Sequence, residues 1–190
     1  MDAGVDLYWL PLGAGGWFVR LNGIAYEAMV AAIERRPRRA LYHSALIVTV
    51  ADGAYVIESA PIRLADGPDR GVTAEGPVGS RLLRHLRLFR YEVRCWCGGI
   101  LPDVAEAVAS PVRLSTDVAV ARRLIELVPA LPTPVWGRDE LAAGEMWNSN
   151  SVISWLLASS GLDVDEIAPP AGGRAPGWAA GLVMARRGAP

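Results

Sequence analysis

The chain has 190 residues, of which 52% are hydrophobic and 21% charged, with a net charge of −1. This excludes a disordered chain, a bundle of membrane helices, and a nucleic-acid binder that relies on a global positive field. A chain of this length buries roughly 70% of its unfolded surface, so one domain over residues 1–190 can hold a core without staples.

In chain order, residues 7–12 read as a short strand ended by Pro11, 13–16 as a loop, and 17–21 as a second short strand closed by an Asn22-Gly23 turn. Tyr26, Met29, Val30 and Ile33 fall at helical spacing and predict a helix over 25–36 that Pro37 stops. Residues 41–50 predict a core strand, Asp52-Gly53 a tight turn, and 54–60 its antiparallel partner. Residues 63–79 read as loop. Over 88–97, Phe89, Tyr91, Val93 and Cys95 alternate with Arg90, Glu92 and Arg94, which predicts a third strand with one wet face.

Cys95 and Cys97 are expected as unbridged thiols on opposite faces. A short helix is expected over 102–109, and a longer one capped by Ser115 and ending before Pro129. The last predicted helix begins near Asn150 and stops at Gly161, and 178–185 reads as a final strand. Strands and helices do not alternate regularly. The pattern therefore predicts an α+β fold, a small antiparallel sheet packed on helices. No apolar run is long enough to span a membrane, and no basic leader precedes one. Two histidines and two cysteines are thin material for a metal site. The expectation is a cytoplasmic protein with no cofactor, no metal and no nucleic-acid partner.

Two distant segments carry the chemistry. The first, Leu41-Tyr42-His43-Ser44, puts an imidazole at the start of a core strand, and Glu58 lies on the next strand. The second, Trp147-Asn148-Ser149-Asn150-Ser151, gathers amides and hydroxyls at the mouth of a helix, where free N–H groups and the helix dipole favour negative charge. A nucleophile there, with a His base and an acidic orienter, is the general constellation of covalent catalysis.

A His on one strand, a Glu on the next and a late Asn-Ser-Asn-Ser helix start resemble the circularly permuted papain-like hydrolases, the superfamily of NlpC-type peptidases and lecithin:retinol-acyltransferase-like proteins. The resemblance covers residues 41–60 and 146–161. It implies a permuted papain-like arrangement and a hydrolase or acyltransferase acting on amide or ester bonds of a small-molecule, lipid or peptide substrate. His43 would be the base, Glu58 the orienter and Ser149 the nucleophile, with backbone N–H groups at Asn150 and Ser151 holding the oxyanion.

The family's nucleophile is Cys, and here Ser149 stands in its place. A helix terminus supplies at most ~2 kcal/mol, about 1.5 pKa units, which suffices for a thiol and not for an alkanol. Ser149 would need His43 within hydrogen-bond reach. A two-residue turn at Asp52-Gly53 would also set Ile47 opposite Glu58 and leave that carboxylate four residues along the strand from His43, with Glu92 as a substitute orienter. The alternative is a catalytically inactive papain-like domain that binds a lipid, peptide or protein partner. The same segments admit plainer roles: N-capping for the Asn/Ser cluster, a solvated helix end for Arg35, Arg36, Arg38 and Arg39, and core packing for Trp147 and Trp155.

Overall fold

The computed structural model describes residues 2–12, 17–62, 71–101 and 103–188. The loop read at 13–16, the stretch 63–70 and Pro102 lie outside the described residues. Strands β1 (Gly4–Pro11), β2 (Ala40–Val50), β3 (Gly53–Pro61), β4 (Val72–Pro77), β5 (Arg90–Cys97) and β6 (Val112–Ser115) form a sheet in the order β4-β5-β3-β2-β1-β6. Each neighbouring pair is antiparallel. A two-residue strand β7 (Gly173–Arg174) runs parallel to the start of β2. The helices are α1 (Trp17–Ile33), α2 (Val118–Leu127), α3 (Ser149–Ser159) and α4 (Trp178–Gly188). The fold is α+β, as the arrangement of elements in the sequence predicts.

The alternation of β2 divides the molecule. Tyr42, Ser44, Leu46, Val48 and Val50 are buried on one face, where Leu46 and Val48 join Trp9, Ile57, Tyr91 and Val93 in the main core. Helices α2 and α3 cover that face through Leu124, Val152, Ile153 and Leu156. His43, Ala45, Ile47 and Thr49 point to the other face. There a smaller cluster forms from Leu10, Ala45, Val56 and Leu101. Helix α3 is buried almost all round, and α4 packs on it closely at Gly181: a Cβ there would collide with the Ser151 carbonyl and the Ser154 hydroxyl.

Several local expectations are corrected. Residues 17–23 belong to one continuous helix, because a helix can absorb a Gly at about 1 kcal/mol and Asn22-Gly23 makes no turn there. Residues 178–188 are helical, since Glu145 supplies the N-terminal cap from a distant loop, its Oε2 accepting from the N–H groups of Gly177 (2.9 Å) and Ala179 (3.0 Å). The stretch read as loop contains β4, an edge strand whose Pro77 sits at its end, where no ladder bond is lost. Asp117, not Ser115, caps α2, accepting from the Ala119 N–H at 2.7 Å. Among the described residues of the segment expected as a short helix, only a 3-10 turn, Val104–Glu106, forms. Cys95 and Cys97 are two residues apart on β5, which puts both on the face of Ile57 and Tyr55, and both are free thiols.

Candidate functional site

The mouth of α3 is a closed polar network. Asn148 caps the helix, and its Oδ1 accepts from the Asn150 N–H at 2.9 Å. A capping box pairs the Ser151 N–H with the Asn148 side chain, while Ser151 Oγ accepts from the Asn148 N–H at 3.0 Å. The backbone donors expected to hold an oxyanion, those of Asn150 and Ser151, are therefore already engaged.

The side chains reach outward to tie other elements down. Ser44 Oγ donates to Asn150 Oδ1 at 2.8 Å, and Asn150 Nδ2 donates to the carbonyls of Tyr42 and Pro176, each at 2.9 Å. Ser151 Oγ donates to the Gly177 carbonyl at 2.7 Å, and Ser154 Oγ to that of Trp178 at 2.8 Å. Asn150, Ser151 and Ser154 are buried, where an unmet polar group costs ~1–3 kcal/mol, so the network is an internal staple between β2, α3 and the turn into α4. That turn needs glycine at Gly177, whose φ of 89° lies in the left-handed region and whose missing Cβ leaves room for the Asn148 amide.

His43 is not part of this network. The pairing Trp9↔Ser44 and Leu10↔His43 shows the two neighbours on opposite faces: Trp9 stacks obliquely on Trp178 in the main core (centroids 5.2 Å apart), while Leu10 belongs to the other cluster. The β2 backbone lies between the His43 imidazole and α3. The contact that a His43–Ser149 pair would need is made one residue along on each element, by Ser44 and Asn150. Burial holds the His43 pKa down to about 4, with the Asp103 carboxylate pushing it up by less, so the ring is neutral at pH 7. That is the right form for a base, but no hydrogen bond joins the ring to Ser149, and Ser44 is the residue of β2 that meets α3.

Glu58 shares His43's face. The hairpin turns at residues 51 and 52, pairing Val50 with Gly53 and Ile47 with Val56, so Glu58 comes two residues nearer to His43 than a turn at Asp52-Gly53 would set it. Its carboxylate instead meets Arg94: Nη1 lies 3.3 Å from Glu58 Oε1, while Nε and Nη2 donate to Glu92 Oε2 at 3.0 and 2.8 Å. Glu58 and the substitute orienter Glu92 thus share one buried guanidinium.

Trp147 is core and Trp155 packs against it. A cleft of about 810 Å³ opens elsewhere, beside Glu75, Arg81, Arg84, His85, Arg90 and Glu140. Arg81 is fixed there by a two-pronged pair to Glu140 (2.9 and 3.0 Å), and Arg90 by an ion pair with Glu75. Among the described residues, no three His, Cys, Asp or Glu side chains gather as a metal site. Sequence reasoning offered N-capping by the Asn/Ser cluster, which Asn148 performs, and missed the roles of Ser44 and Glu145. The Asn-x-x-Ser spacing of Asn148 and Ser151 matches a capping box in all but the usual residue types; nothing local marks Ser44 or Glu145. No family model, no curated protein and no solved structure matches the chain.

Proposed function

We propose that the chain is a non-catalytic domain of permuted papain-like arrangement that acts by binding a partner and does not turn over an amide or ester. The order of the elements, a strand with His43, a partner strand with Glu58 and a late polar helix start against the first strand, supports the kinship. One observation carries the loss of catalysis: Ser44, not His43, faces the start of α3. An alkanol at Ser149 without a base in reach cannot attack a carbonyl at a useful rate. The N–H groups of Asn150 and Ser151 are taken by the Asn148 side chain and are not free to hold an oxyanion.

The test is a fluorophosphonate probe for serine hydrolases with a panel of acyl esters and peptides. The expected result is no labelling and no turnover. Labelling that both Ser149→Ala and His43→Ala abolish would restore the hydrolase reading.

A further inference from the structure

Two exposed segments of the chain combine large apolar side chains with arginines, five of which form no ion pair among the described residues. The first is Arg81-Leu82-Leu83-Arg84-His85-Leu86-Arg87-Leu88, two 3-10 turns leading into β5. Leu82 is 88% exposed, Leu86 55% and Leu88 60%. Arg84 and Arg87 are exposed and form no ion pair among the described residues. The second is the end of α1 and the link into β2. Met29 is 56% exposed and Ile33 73%, and they are followed by exposed Arg35, Arg38 and Arg39. Here Arg36 is the engaged member, paired with Glu27 and Glu34; the other three form no ion pair among the described residues.

The topology brings these segments together. β2 and β5 both pair antiparallel with β3, which lies between them, so they run the same way and begin at the same end of the sheet. One segment feeds β2 and the other feeds β5. Their strand starts are separated by a single strand, about 10 Å. One end of the molecule therefore carries exposed Leu, Ile and Met side chains among five arginines that form no ion pair among the described residues, on a chain whose net charge is −1.

We infer that this end docks on an anionic lipid surface, with Leu82, Leu86, Leu88 and Ile33 entering the headgroup–acyl boundary and the arginines on the phosphates. Charge complementarity selects this occupant. Interfacial binding combines buried apolar area with attraction to anionic headgroups, and both parts are present here. A polynucleotide would use the arginines and leave the leucines in water. A symmetric contact with a second copy would set one arginine-rich face against another. The inference deepens the binding-domain reading and rests on it for purpose, but vesicle binding and hydrolase labelling are read separately, so either can fail alone.

The experiment is flotation of the full chain with vesicles of phosphatidylcholine alone and with added phosphatidylglycerol. The protein is expected to float with the anionic vesicles only, and less as salt rises. The combined Leu82→Ser, Leu86→Ser and Leu88→Ser variant, and separately the Arg84→Gln, Arg87→Gln pair, should each lower partitioning by about tenfold or more. These side chains are exposed, so circular dichroism and melting should be unchanged. Ile100→Ser, at an 81% exposed residue beyond the far end of β5, should bind as the parent does. No flotation, equal binding to neutral vesicles, or equal loss with Ile100→Ser would overturn the inference. So would self-association in sedimentation velocity that the leucine substitutions abolish, which would make the face a protein interface.

Discussion

At His43 the fold keeps a neutral imidazole that the unfolded chain would protonate near pH 6.5. The folded pKa, about 4, is the lower of the two, so the unfolded state binds more protons between these values and stability falls as pH drops from 6.5 to 4. The full shift corresponds to at most about 3 kcal/mol. His43→Leu should therefore flatten that part of the urea-denaturation profile relative to the parent; an unchanged difference between pH 7 and pH 4.5 would show that His43 titrates in water. The polar helix mouth makes a second residue-level prediction. Asn150→Ala removes the bonds to Ser44, Tyr42 and Pro176 and should cost about 2–4 kcal/mol. Ser149→Ala, which removes none of those bonds, should cost about 1 kcal/mol or less. A catalytic design would show the reverse emphasis: activity lost at Ser149 with stability kept. Arg94 holds two carboxylates in a buried site, so Arg94→Met should be destabilising by about 3–5 kcal/mol in thermal or urea unfolding.

Among the elements, β2, β3 and β5 were legible because aliphatic and alternating runs bounded by turn signals have one physical reading. Helix α3 was legible from its cluster of cap residues and the glycine that ends it. The rest depends on partners outside the local window. Helix α4 owes its start to Glu145, more than 30 residues upstream, and its fit on α3 to the bare backbone of Gly181. Gly181→Ala would force the two helices apart and should cost about 1–3 kcal/mol, read as a lower melting temperature with an unchanged helix signal. Glu145→Gln keeps the cap's shape and removes its charge at a helix N-terminus, so its cost should stay near or below about 1 kcal/mol. The β2–β3 register was misjudged by the position of one turn: the chain reverses at Ala51 and Asp52, and Gly53 is already paired.

Across the whole molecule the sheet separates two chemistries, the apolar and amide-rich face under α3 and the charged face with Arg94, Glu92 and Glu58. The approach of residues 41–44 to 147–151 is what the resemblance implies, and Ser44 and Asn150 do meet across 106 residues of chain. Which face of β2 they meet on was not readable. Both faces carry apolar residues, Tyr42 and Leu46 on one and Ala45 and Ile47 on the other, so the alternation leaves the parity of His43 undetermined. Acid should lower stability progressively in urea denaturation, through His43 as pH falls from 6.5 toward 4 and further as Glu140, held low by Arg81, protonates.

The separation of His43 from the helix mouth is tested most directly by the thiol titration of Ser149→Cys, with and without His43→Ala, followed by alkylation rate against pH. A barrier of β2 backbone between the two side chains requires the same thiol pKa in both backgrounds. A thiolate formed well below the ordinary value near 8.5, and lost when His43 is removed, would contradict it.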